Sequence, residues 1–141
     1  MTNITLAQSY LTKAGKRIKI LPVLLEESAY SDVIREAQEI VELALKGVLR
    51  EIGIEPPKWH DVGGLLLEYA ERLPGIPVED LQRLASISHW LRKEREFSFY
   101  GDVDFIPTEQ YTREDALRAK DDAKFVVETS SRIILLPNEQ S

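Results

Sequence analysis

From Val33 to Ile52 apolar residues recur with the three-and-four spacing of one helix face: Val33, Ala37, Ile40, Val41, Ala44, Leu45, Val48, Leu49 and Ile52. So broad a stripe has to be covered along its whole length. The cover available in this chain is more helix. Ala7, Tyr10, Leu11, Ala14, Ile18, Leu21 and Leu25 repeat the pattern, with Pro22 placed to kink or end that run. Val62, Leu65, Leu66, Tyr69, Ala70 and Leu73 form a shorter segment. Leu81, Leu84, Ala85, Ser88 and Leu91 form another, with Ile87 and Trp90 beside them. Ala116, Ala119, Ala123, Val126, Val127 and Ser130 complete the set, and Pro137 is expected to close it. RIILL, near the C-terminus, is the only β-rich patch, and no alternating run with hairpin punctuation occurs.

The punctuation fits the same layout. Ser28 or Ser31 is expected to cap the second segment and Gly53 to end it. Glu42 and Lys46 make an i,i+4 pair on its polar flank. Asp61 can cap the third segment after the rigid link GIEPPKWHD. Pro77, Glu79 and Asp80 suit the start of the fourth, and Thr112 with Asp115 reads as a capping box for the fifth. A loop, GDVDFIPTEQY, separates the last two. The expected fold is all-α, an up-and-down bundle of four to five helices. It forms one domain over residues 1–141 with a short polar tail from about 137. A chain of 141 residues can bury roughly two-thirds of its unfolded surface without staples.

Several function classes fall away. With no cysteine there is neither a disulfide framework nor a thiolate metal site, and two histidines leave little for zinc, so no metal and no cofactor are expected. No apolar run approaches a membrane span and the N-terminus lacks the order of a signal peptide, which points to the cytoplasm. A net charge of −6 disfavours non-specific duplex binding yet leaves room for a local basic pocket that takes one phosphate or a flexible RNA strand.

Three stretches carry a family resemblance: the second segment running into its Pro-Lys-x-His-Asp link, the fourth-segment end WLRKEREFSFYGD, and the P-T-E-x-Y-T-R-E-D-A that opens the last helix. In order and spacing, from about Leu6 to about Ile134, they resemble the HEPN domain, a nucleotide-binding helical domain of higher eukaryotes and prokaryotes. The resemblance implies a homodimeric bundle. Its members include metal-independent ribonucleases of toxin systems and partners of small nucleotidyltransferases. The nucleases place arginine and histidine four to six residues apart at the end of a long helix. The matching arginine here is Arg95, with Glu96 directly after it. Four residues intervene, and Tyr100 stands where histidine would be.

The chemistry of those residues separates binding from cutting. Arg95 suits phosphate, because a guanidinium fork matches phosphate oxygens and stays charged. Tyr100, with an ordinary pKa of about 10, is a poor base but can stack on a base or donate to a phosphate. The expected ligand-binding set is Arg95, Glu96, Ser98 and Tyr100 with Glu42 and Glu39, for a nucleotide, single-stranded RNA or a nucleotidyltransferase partner. Catalytic candidates are Arg95, Tyr100 and His60, for an endoribonuclease. A structural adaptor without ligand is the third reading, in which Arg95 merely pairs with Glu39 or Glu42. His60 can serve acid–base work or only bond its loop. Gly63 and Gly64 after Asp61 offer either an anion site or close helix packing. His89, Trp90, Arg92 and Lys93 make either a basic aromatic strip or a solvated face. Phe97 and Phe99 suit core, dimer seam or base platform.

Overall fold

The structure, a computed structural model, describes residues 5–58, 61–99 and 106–137, with only the backbone described at 95–99 and at 109. Helix α1 (Leu6–Ile18) begins at a capping box, in which Thr5 Oγ1 accepts from the Gln8 amide and Gln8 Oε1 accepts from the Thr5 amide. It ends before Pro22, which sits in the first turn of a short α2 (Leu21–Glu26), as its missing amide requires. Neither serine caps α3 (Tyr30–Glu51), whose N-cap is Ala29 without any side-chain bond. Ser28 is spent on reversing the chain: it stands at φ 57°, while the Ser28 and Ala29 amides donate to Leu25 and Leu24. Ser31 is buried in the first turn of α3.

The end of α3 follows expectation. Gly53 takes φ 83°, its amide donates to Arg50, and the Ile54 amide reaches back to Leu49. Arg72 Nη1 donates to the Ile52 carbonyl and closes the same terminus. Asp61 caps α4 (Val62–Glu68), which passes into a 3-10 turn at Ala70–Arg72. Next come α5 (Val78–Phe99), a short α6 (Pro107–Gln110) inside the expected loop, and α7 (Arg113–Ile133) behind the Thr112–Asp115 capping box. Helix α7 stops four residues before Pro137, because Ile134 turns extended to bury its side chain completely. The RIILL patch therefore lies across a helix end, and no strand occurs among the described residues.

Helix α3 is the axis of the bundle and packs on α1, α5 and α7. Late α1 meets early α3 through Arg17 and Glu36, and late α5 meets the start of α7 through Glu94 and Tyr111. Gly47, late in α3, faces both the Ala7 carbonyl and Ile134, so α7 runs parallel to α3 while α1 and α5 run against it. The expected up-and-down bundle results, with Ile34, Ile40, Leu45 and Leu49 wholly buried at its centre. Among the described residues no helix is long and apolar enough to cross a membrane.

Candidate functional site

The polar junction of α3, α4 and α5 begins with an absent side chain. A Cβ on Gly63 would stand 2.7 Å from Ser88 Cβ and 2.8 Å from Ala85 Cα, so only glycine lets α4 lie this close to α5. That contact sets Asp61 beside Ser88. Asp61 Oδ1 accepts from the Gly63 amide and from Ser88 Oγ, each at 3.1 Å, and Oδ2 stands 4.0 Å from His89 Nδ1. The Gly63 amide is already used by Asp61, so Gly63 serves helix packing, whereas a Cβ on Gly64 would meet, among the described residues, only the Asp61 carboxylate.

Ser88 opens onto a crevice of about 10 Å³ between α3 and α5, walled by Gln38, Val41, Glu42, Leu91 and Arg92. Gln38 is only 3 % exposed. Its Nε2 donates to Glu42 Oε2 at 3.2 Å, whereas its Oε1 is buried without a partner. Buried polar groups are nearly always paired, so this oxygen carries a desolvation cost that no protein group offsets. Glu42 also stands 3.8 Å from Lys46 Nζ, the pair expected along α3, and borders a second, open groove of about 230 Å³ with Arg17 and Glu39.

The residues expected to form the site sit at its far edge. The backbone of α5 is helical through Phe99, and position 95 follows Arg92 by nearly one turn. The side chains of Arg95, Glu96 and Ser98, and the whole of Tyr100 and His60, lie outside the described residues. Glu39 is held by Arg17 Nη2 and, at 3.2 Å, by Arg35 Nη2. Glu36 accepts from Arg17 Nε at 2.6 Å. The bond from Glu36 does most to raise the Arg17 pKa, against the opposing effect of burial.

His89 and Trp90 part company. Trp90 turns to α7, where its Nε1 donates to Asp122 Oδ2 at 2.9 Å and Arg118 stacks on its ring at 4.1 Å. His89 stays exposed beside Asp61. Closer to Arg95, Tyr111 Oη donates to Glu94 Oε2 at 2.8 Å and ties the segment before α7 to the end of α5. Burial, then the bond to Glu94, pushes the Tyr111 phenol well above its ordinary range. Neither Gln38 nor the Tyr111–Glu94 bond was singled out from sequence. The one available signal was a glutamine inside an otherwise apolar stripe.

The model of the HEPN domain matches residues 7–134. The chain belongs to the HEPN domain family. A protein of Methanocaldococcus jannaschii named "Putative toxin MJ1304" is 28 % identical over 136 residues, covering 89 % of this chain and 86 % of that one. The crystal structure of ST0689, an archaeal HEPN homologue, superposes with a TM-score of 0.66 at 22 % identity, over 92 % of this chain and 98 % of that chain. At that identity the likeness speaks for the fold. The HEPN bundle here thus places its α3–α5 crevice directly before the arginine that the sequence motif marks.

Proposed function

We propose that this HEPN chain is a binding module that holds a nucleotide, or the phosphate of an RNA strand, in a groove around Arg95. The observation that carries this reading is the polar crevice of Gln38, Glu42, Ser88 and Arg92 immediately ahead of Arg95 on α5. Arginines one turn apart suit a phosphate, and the adjoining polar lining suits the sugar attached to it. Tyr100 in place of histidine favours binding over cleavage, since tyrosine as a residue type is a poorer base than histidine at neutral pH. Assembly as a homodimer, alone or with a small nucleotidyltransferase, belongs to the same proposal. Ile20 and Val23 at α2, 43 % and 59 % exposed, are apolar surface that such contacts can cover. Titration with AMP or a short RNA should give saturable micromolar binding that Arg95→Ala abolishes without altering the helical signal. Absence of binding to either would refute it.

A second reading, a metal-independent endoribonuclease, draws on the toxin name of the relative. It would use Arg95 for the phosphorane charge and Tyr100 or His60 for proton transfer. Cleavage of RNA by the pure protein in chelator, lost in Arg95→Ala, would favour it over the first.

A further inference from the structure

The arginines that tie the helices together are matched to carboxylates. Arg17, Arg35, Arg83, Arg118 and Arg132 each stand 3.9 Å or less from one. Arg50, in the last turn of α3, differs. It is half-buried, yet among the described residues it has neither a carboxylate nor a hydrogen-bond acceptor. Its Nε is buried without a partner, while its terminal nitrogens are neither bonded nor buried. Its Cζ lies 5.7 Å from the centroid of the Tyr10 ring. Arg50 forms the wall of an open groove of about 410 Å³ with Gly53, Ile54 and Glu55.

A second guanidinium reaches the same turn from the 3-10 segment. Arg72 Nη1 donates to the Ile52 carbonyl at 3.0 Å and would stand 3.9 Å from a Cβ on Gly53. Its Cζ lies 5.3 Å from the Tyr69 ring centroid. One of its five N–H groups is used, and the bond offsets a helix-end carbonyl that would otherwise repel an anion. Gly53 therefore has Arg72 beside it and shares the groove wall with Arg50. Glu55 is the one carboxylate lining the groove, and it pairs with neither arginine among the described residues.

We propose that this groove binds the oxyanion group of a small molecule, held by Arg50 and Arg72. Guanidinium forks match phosphate and carboxylate oxygens alike. A guanidinium already partly desolvated and matched to nothing gains most from such a partner. The volume is that of a small-molecule site, and Ile54 supplies an apolar wall for the body of the ligand. Because α5 runs against α3, the groove lies at the far end of the bundle from Arg95. It uses no residue of the site proposed there.

The test titrates the isotope-labelled full chain with pyrophosphate and, separately, with citrate at constant ionic strength, followed by NMR. The Gly53 and Ile54 amides and the Arg50 Nε signal should shift and saturate, with a Kd of about 1 mM or tighter. Arg50→Gln and Arg72→Gln should each weaken binding about tenfold, the order of one lost bond to a charged group. Tighter binding of pyrophosphate would support a phosphorylated ligand, and tighter binding of citrate a carboxylate. Shifts that never saturate, that sodium chloride reproduces, or that survive Arg50→Gln unchanged would overturn the inference. Should Arg50→Gln not fold, Arg72→Gln decides in its place. None of these outcomes bears on Arg95.

Discussion

Helix α3 presents polar side chains to two neighbours, and it treats them in opposite ways. Toward α1, Glu36 and Glu39 close around Arg17, and Arg35 adds a further contact to Glu39. Toward α5, one residue earlier in the chain than Glu39, Gln38 is buried with its oxygen unmatched. The first seam is saturated and explains itself as a tie between helices. The second keeps a cost that no protein group offsets. Charge alone does not separate the two; completeness of pairing does.

Substitutions can break or sharpen that contrast. The largest effect should come from Gly63→Ala, whose methyl would meet the α5 backbone at Ala85. We expect a loss of about 2–3 kcal/mol in denaturant unfolding, with ligand affinity falling as α4 is pushed from Ser88. Tyr111→Phe should cost about 1 kcal/mol near neutral pH through the lost bond to Glu94. It also changes the alkaline limb. The folded chain keeps the phenol proton above the ordinary tyrosine value of about 10, while the unfolded chain releases it. Wild-type stability should therefore fall as pH rises past that value, and Tyr111→Phe should lose part of this slope; an unchanged slope would place the titration elsewhere.

Smaller effects test the two seams directly. Glu36→Gln should cost only about 0.5 kcal/mol, because Arg17 is 36 % exposed and solvent screens the pair. That loss should fade in high salt with RNA binding untouched. Gln38→Met should cost about 0 kcal/mol, or stabilise slightly, since it removes a buried acceptor that nothing satisfies. A neutral or stabilising outcome would sharpen the contrast; a large thermal destabilisation would end it.

What sequence could disclose followed from local physics. The α3 stripe, Gly53 at the end of α3, Asp61 ahead of α4 and the Thr112–Asp115 box are all settled within a few residues of themselves. Equally local signals passed unread, such as the Thr5–Gln8 box and the left-handed Ser28 that turns the chain between α2 and α3. The site was legible only as a place. Arg95 was located by its motif, but contacts that set the crevice and the α1 seam come from afar. Ser88 finds Asp61 across 27 residues and Arg17 finds Glu36 across 19. Glu39, weighed as a partner for Arg95, whose side chain lies outside the described residues, meets Arg35 by i,i+4 spacing along α3 and Arg17 by the way α1 docks.

The crevice between α3 and α5 also makes the protein its own reporter. Its lining comes from α3, α4 and α5 and exists only in the folded chain, so a molecule held there binds the native state alone. Such a molecule must raise the melting temperature, by an amount that grows with the logarithm of its concentration. A panel of ribonucleotides in a plain thermal-shift plate would then rank ligands for this HEPN bundle without knowledge of any reaction.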